Sequence, residues 1–155
     1  MENYINKELP ANRNPKRRNQ KPEKEVEKAV LDWCRLRGWH VTVVEAKTNF
    51  SAASGRYTSQ NVAPGFSDII GNNSYGYLVA IELKAPGKRS TLRPKQREFL
   101  QAKIETNCFA IVCDCVEYLQ KTYAFWAQLL PSAQQDFLRQ ELPKIRQSRD
   151  DGPLF

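Results

Sequence analysis

Apolar residues recur at helical spacing in the first patterned stretch of the chain, residues 23–37. Gly38 follows as a typical helix stop, so the pattern predicts an amphipathic helix. Glu23 and Glu27 border the apolar face, and either carboxylate is placed to look into a cleft. The residues assigned to the face are Val26, Ala29, Val30, Trp33 and Leu36.

Strand patterns follow in four places. WHVTVVEA (39–46) is rich in β-branched residues, DIIG follows the turn PGFS, YLVAIELK (77–84) is almost wholly apolar, and CFAIVCD closes the series. A strand without polar alternation is covered on both faces, so 77–84 belongs at the centre of a sheet. NNSYG (72–76) has the residues of a hairpin connection. The Ser-, Thr- and Asn-rich stretch 47–63 predicts a long loop that carries Arg56.

Helical patterns occupy the remainder of the chain. Pro94 opens a helix to about Thr106, VEYLQKTYAFWAQLL forms another, and Pro131 breaks it before a last short helix that SAQQ caps. This order of elements predicts an α/β sandwich. The predicted organisation is a flexible basic arm (1–22), one folded domain (23–142) and a loose tail (143–155).

The charge balance favours a polyanionic partner. The chain has 155 residues with 24 Lys and Arg against 17 Asp and Glu, a net charge of +7. Nucleic acid is the first candidate for a protein this basic. The sequence has neither a signal-peptide pattern nor an apolar run of about 18 residues, so we expect an intracellular protein, cytoplasmic or nucleoid-associated.

The cysteines predict reduced thiols. Cys34, Cys108, Cys113 and Cys115 lack the paired spacing of a zinc site, and the last three flank an apolar strand. We therefore expect no structural zinc and no disulfide framework.

The charged residues at the end of the most apolar strand are the main candidates for chemistry. Glu82 and Lys84 lie two apart, so they project from the same face, and Asp68 reaches them if 72–76 forms a hairpin. Carboxylates without His or Cys suit Mg²⁺ or Mn²⁺ rather than zinc, and the backbone carbonyl of Leu83 is a further candidate ligand. An ion of this kind activates water for phosphodiester cleavage. The alternative is a Glu–Lys pair that only neutralises itself.

A basic segment follows this strand and favours the nuclease interpretation. It suits a surface that holds a phosphate backbone. Candidate nucleic-acid contacts are Arg56, Lys88, Arg89, Arg93 and Lys95. The segment PGKRST fails the P-loop pattern, and a single histidine, His40, argues against Ser-His-Asp chemistry.

GFSD, then IELK, then the glutamine of RPKQREFL resemble the VRR-NUC branch of the PD-(D/E)xK nucleases over roughly residues 23–115. The resemblance implies a restriction-endonuclease-like αβββαβ core with a mixed sheet flanked by helices. It implies that Asp68 and Glu82 bind metal, that Lys84 is catalytic and that Gln96 supports the site. It also implies a helical glutamate, for which Glu27 is the first choice and Glu23 the second.

The sequence departs from the family pattern at one position. Ser67 stands where the family has proline before the aspartate, which concerns the stiffness of the turn more than the chemistry. The implied activity is a structure-specific DNA endonuclease for branched, flap or junction DNA, of the kind found in DNA repair and Holliday-junction resolution. Small stand-alone members often form homodimers, and the segment TYAFWAQLL is a candidate interface, although covering the domain's own core is the commoner use of such a helix.

Two other functions compete with this one. One is a catalytically inactive nucleic-acid-binding module of the same fold, with salt-sensitive binding and no cleavage. The other is an adaptor that docks Leu154 and Phe155 on a partner such as a sliding clamp. The preferred DNA structure and the choice between DNA and RNA stay open.

Overall fold

The computed structural model describes residues 21–45, 48–59 and 65–145. Helix α1 spans Pro22–Leu36, with proline at the first turn, where a missing backbone N–H costs little. Its buried residues are Val26, Val30 and Cys34, spaced by four, so the buried face is rotated from the predicted one. Leu36 is 88% exposed, and its predicted place on the apolar face is wrong because it projects away from the Val26–Cys34 line.

The fold is α/β, with a mixed four-stranded sheet in the order β1-β4-β5-β7 and helices against it. The strands are β1 (His40–Val43), β4 (Ile69–Asn72), β5 (Leu78–Leu83) and β7 (Phe109–Cys113). The first three pair antiparallel, and β7 joins β5 in parallel with Ile81 opposite Ile111. The predicted interior position of 77–84 is confirmed, since β5 has a strand on each side and is buried from Val79 to Leu83.

The predicted hairpin at 72–76 is confirmed, because β4 and β5 pair across it with Asn72 opposite Leu78. The Asn73 side chain closes the turn by accepting hydrogen bonds from the backbone N–H groups of Tyr75 and Tyr77, both at 2.9 Å. This Asx arrangement adds to the backbone hydrogen bonds of the turn, from Asn73 N–H to Tyr77 and from Gly76 N–H to Asn73. The hairpin therefore fixes the register that brings the beginning of β4 to the end of β5.

Helices α2 (Pro94–Glu105), α3 (Val116–Trp126) and α4 (Pro131–Glu141) cover the sheet. Tyr123 and Trp126 of α3 pack on Phe109 and are buried, so this part of TYAFWAQLL covers the domain's own core. Helix α3 ends four residues earlier than predicted. Helix α4 begins at Pro131 and lacks a side-chain cap, so the predicted SAQQ capping box is wrong.

The predicted loop over 47–63 is wrong at 48–51 and 56–59, while residues 47 and 60–63 lie outside the described residues. Strands β2 (Thr48–Ser51) and β3 (Arg56–Ser59) pair there as an antiparallel hairpin and form a separate two-stranded sheet. Gly55 supplies the positive φ of +61° between them. The abundance of Ser and Ala in this stretch hid the β-forming residues from a composition-based assignment.

The predicted boundary at 142 also needs correction. Two-residue strands β6 (Thr91–Leu92) and β8 (Lys144–Ile145) pair in parallel, so residues 144 and 145 belong to the folded domain and not to a loose tail. Strands this short leave no pattern in a sequence. Arm residues 1–20, tail residues 146–155 and the docking residues Leu154 and Phe155 lie outside the described residues.

The four cysteines are free thiols, as predicted, and three of them are buried. Cys34 lies in α1, Cys108 directly precedes β7, and Cys113 is the last residue of β7. Within the described part of the chain, every helix falls short of the length and apolarity that a membrane crossing needs.

Candidate active site

The β4–β5 hairpin brings the predicted acidic residues to one edge of the sheet. Asp68 directly precedes β4, so it lies in the turn rather than within the strand, and Glu82 and Lys84 lie at the end of β5. The Asp68 Oδ2 accepts a 2.7 Å hydrogen bond from the backbone N–H of Leu83. The residue between Glu82 and Lys84 therefore holds the Asp68 carboxylate, and the predicted convergence of the three is confirmed.

Glu82 is the most unusual residue of this group because its side chain is only 3% exposed. Its Oε1 accepts a 2.7 Å hydrogen bond from the Lys84 Nζ and a second bond from the Gln96 Nε2. Its Oε2 is buried and has no hydrogen-bond partner among the described residues. A buried carboxylate oxygen without a donor is costly, and such an atom calls for a ligand or a proton.

Gln96 joins the site from the first turn of α2, as the resemblance implied. Its Oε1 accepts hydrogen bonds from the Arg93 backbone N–H at 3.1 Å and from the Lys84 Nζ at 3.5 Å. The Gln96 side chain thus caps the N-terminus of α2 and also contacts the Glu82 carboxylate. This double attachment fixes the distance between α2 and the end of β5.

Burial disfavours the charged form of both carboxylates. It raises the pKa of Glu82 to about 7, with the nearby Asp68 charge adding to the rise and Lys84 opposing it. Burial also raises the pKa of Asp68, against the hydrogen bond from Leu83 and the charge of Lys84. The site therefore resists carrying two negative charges unless a cation compensates them.

A cavity of about 400 Å³ opens beside Asp68 on the α1 side. Glu23 and Glu27 both line it, so both candidates for the helical carboxylate face the same space as Asp68 and Leu83. The Glu27 Oε2 is paired with the Lys24 Nζ at 2.8 Å. Glu27 is thus paired with a cation, and its charge still acts on Asp68 across the cavity.

Sequence reasoning missed Lys24 and Glu45, which also line this cavity. Lys24 lies three residues before Glu27, a spacing at which helical side chains meet, so the pair was detectable. Glu45 follows β1, which pairs with β4 so that Val43 is opposite Ile69. An antiparallel alignment of these strands would have placed Glu45 near Asp68.

Within the described residues, no group of three or more His, Cys, Asp or Glu side chains is arranged to hold a metal ion. The site thus offers the carboxylates of Asp68 and Glu82, with Glu27 lining the cavity beside Asp68. Magnesium requires no more than this, since it usually takes one or two protein carboxylates and keeps several waters. The oxygen-only donor set and the unpartnered Glu82 Oε2 both fit such an ion.

Two of the predicted nucleic-acid contacts lie beside the site. Lys88 and Arg93 line a cavity of about 420 Å³ with Lys84, Gln96, Ser90 and Thr91. This cavity opens at the N-terminus of α2, where backbone N–H groups add positive potential. It is a cationic space directly next to Glu82.

The other predicted contacts are arranged differently. The Arg89 guanidinium lies 3.5 Å from the Tyr118 ring centroid and 3.8 Å from Asp114 and Glu141, in a separate cavity, so the structure does not bring it to Glu82. Lys95 is exposed on α2, and Arg56 is exposed in the β2–β3 hairpin. Neither lines the cavity that contains Lys84.

Comparisons with known proteins found no match: no protein-family model, curated protein or solved structure is similar to this chain.

Proposed function

We propose that the chain is a Mg²⁺-dependent nuclease that hydrolyses phosphodiester bonds of DNA at the site formed by Asp68, Glu82, Lys84 and Gln96. The observation that carries the proposal is the arrangement around Glu82. A nearly inaccessible carboxylate leaves one oxygen without a donor while a lysine and a glutamine hold the other. A merely structural ion pair gains from satisfying both oxygens, whereas a ligand site must keep one available.

Asp68 and Glu82 would hold the ion, and Mn²⁺ suits the same oxygen donors. When bound, the ion supplies positive charge that polarises the phosphate and lowers the pKa of a coordinated water. Glu27 and the Leu83 carbonyl are further candidate oxygen donors in this proposal. Glu23 lines the same cavity and its charge acts on Glu82, so it is the alternative to Glu27.

Lys84 has the central role among the chain's own groups. Its ammonium is fixed between the Glu82 Oε1 and the Gln96 Oε1, so it offers a donor of defined position to the attacking water or to a phosphate oxygen. Preorganised donors of this kind stabilise charge that develops in the transition state. Gln96 acts by holding Lys84 and Glu82 together, and Lys88 and Arg93 attract the neighbouring phosphates.

The order α1, β1, β4, β5, α2, β7 supports a restriction-endonuclease-like core of the VRR-NUC type, with the β2–β3 hairpin inserted before β4. The corresponding substrate is branched, flap or junction DNA. A homodimer would present two sites to such a substrate. Phe125 and Leu130 are the large exposed apolar residues of the predicted interface segment, and the Phe125 ring packs on Phe137.

The decisive experiment compares cleavage by the wild type with cleavage by Asp68→Asn and Glu82→Gln. Labelled single-stranded, duplex, flap and four-way-junction DNAs are incubated with Mg²⁺ or Mn²⁺. Both variants should lose cleavage by at least about 100-fold, because each removes a ligand charge and leaves the side-chain shape. Asp32→Asn, on the exposed face of α1, is the matched control and should cleave like the wild type.

Thermal denaturation with added Mg²⁺ gives a second readout. An ion that binds only the folded state raises the melting temperature of the wild type and of Asp32→Asn, but not that of Glu82→Gln. Salt-sensitive DNA binding without cleavage or metal stabilisation would favour the inactive binding module instead. Cleavage by Glu82→Gln at the wild-type rate would show that the active-site assignment is wrong.

A further inference from the structure

Two phenylalanines lie next to the proposed site, and neither has a role in the chemistry. Phe66 is 39% exposed, and its ring packs on the half-buried Phe99 of α2 with centroids 4.6 Å apart and planes tilted by 40°. Phe66 precedes Asp68 by two residues, so their Cα atoms are at most about 7 Å apart. The exposed Phe66 ring therefore lies within about the length of one nucleotide of the Asp68 carboxylate.

The same side of α2 continues the path away from the site. Gln96, Phe99 and Lys103 are spaced by three and four residues, so they share one helical face and lie about 4.5 Å and 6 Å apart along the axis. The Lys103 Nζ is 5.2 Å from the Phe99 ring centroid. From Glu82 outward, the surface thus presents an amide, an aromatic pair and then a cation.

A close backbone contact holds Phe66 in this position. Gly65 has a φ of +92°, and a Cβ built there would lie 2.5 Å from the carbonyl oxygen of Lys95. Only glycine allows the backbone of residue 65 to lie this close to Lys95, and the contact holds the segment 65–68 against the first turn of α2. Ser67, between Phe66 and Asp68, is 1% exposed, so the segment is packed against the domain on its other side as well. Phe66 and Asp68 consequently share one rigid support.

We propose that the Phe66–Phe99 pair is a stacking platform for an unpaired nucleobase next to the scissile phosphate, with Lys103 contacting a phosphate beyond it. The inference rests on the proposed nuclease function and adds to it a substrate requirement, which is a single-stranded nucleotide at the site. A base within a duplex stacks on its neighbours and cannot also cover Phe66. Flanking cations at Lys95 and Lys103 suit a polyanion better than an apolar peptide.

The test measures binding by fluorescence anisotropy in EDTA, so that no strand is cut. The probes are labelled oligonucleotides of roughly 16 units, the upper site size of one single-strand-binding domain. They comprise oligo-dT, oligo-rU, an abasic strand of the same length and a duplex. Phe66→Ala should weaken binding of oligo-dT, oligo-rU or both by about ten-fold, which is the usual loss when one stacked base is released.

Two variants make the result specific. Phe66→Trp keeps a stacking surface and should retain wild-type affinity, which separates stacking from damage to the loop. Tyr75→Ala removes an 80% exposed aromatic residue from the β4–β5 turn, at the other end of the hairpin, and should leave binding unchanged. Binding of the abasic strand and of the duplex should be the same for Phe66→Ala and the wild type.

Equal binding of oligo-dT and oligo-rU by Phe66→Ala and the wild type overturns the platform, as does an equal loss on the abasic strand. Failure of the wild type to bind either single strand also overturns it. Since the assay contains no metal, these outcomes are distinguishable from failure of the nuclease proposal, which is a loss of cleavage. If Phe66 stacks on bases but the protein cleaves no DNA, the result supports the inactive nucleic-acid-binding module, and the stacking site is retained.

Discussion

Replacement of Glu82 by Gln tests whether the buried carboxylate destabilises the metal-free protein. Burial raises the pKa of Glu82 from 4.5 to about 7. An acid whose pKa is higher in the folded state favours folding below its unfolded pKa, and that contribution is lost as the pH rises through the folded pKa. The wild type should therefore lose stability between about pH 4.5 and about pH 7.

The expected loss follows from the difference between the two pKa values. One pKa unit corresponds to about 1.4 kcal/mol, so a change from 4.5 to about 7 gives about 3 kcal/mol at the upper end of the range. Glutamine does not titrate and keeps an oxygen to accept the bonds from Lys84 and Gln96. Its amide at the Oε2 position adds a cost that does not vary with pH. The informative quantity is thus the slope of stability against pH, not the absolute stability.

The assay is urea denaturation in EDTA at several pH values from 5.5 to 8.5, with the free energy of unfolding extrapolated to water. The stability of Glu82→Gln relative to the wild type should increase by about 2 kcal/mol across this range, since about one of the pH units over which the wild type loses stability lies below pH 5.5. Glu98→Gln removes an exposed carboxylate from α2 and should follow the wild-type profile. A constant difference between Glu82→Gln and the wild type across this range would refute the argument from burial.

Two further predictions concern the core. Gly71→Ala should destabilise the protein by about 1–3 kcal/mol in thermal denaturation. A Cβ at this position would lie 2.0 Å from the His40 carbonyl oxygen and must push β1 away from β4. A Gly71→Ala variant as stable as the wild type would show that the two strands separate without cost. Iodoacetamide at pH 8.5 should modify the half-exposed Cys115 before Cys34 and Cys113, since burial raises the pKa of both buried thiols to about 12. Peptide mapping measures the order, and early labelling of Cys34 would contradict it.

The local pattern of the chain was sufficient for the central elements. The apolar run at 77–84 predicted an interior strand, and NNSYG predicted the hairpin, since side-chain alternation and turn chemistry depend on neighbouring residues. The same reasoning placed Glu82 and Lys84 on one face because they are two apart on a strand. The position of Asp68 beside them followed from the predicted hairpin. Its hydrogen bond from the Leu83 N–H became known only from the structure.

Local pattern was insufficient where short or polar segments gain their structure from a partner. The β2–β3 hairpin lies in a stretch whose composition is typical of a loop, and β6 and β8 are two residues each. Leu36 matched the helical spacing but faces solvent, because the position of β1 and α3 decides which side of α1 is buried. Such assignments depend on contacts between distant parts of the chain.

By itself, the sequence determined the strand and helix periods, the β4–β5 turn and the pairing of Glu82 with Lys84, since each depends on residues within one turn or one strand. Gln96 entered only through the family resemblance. Tertiary structure decided how far Glu82 is buried, that Gln96 reaches it from α2, and that Glu27 shares a cavity with Asp68. It also decided that Phe66 rests on Phe99. The physical reason is that burial and desolvation are properties of the assembled layers, which no single segment contains.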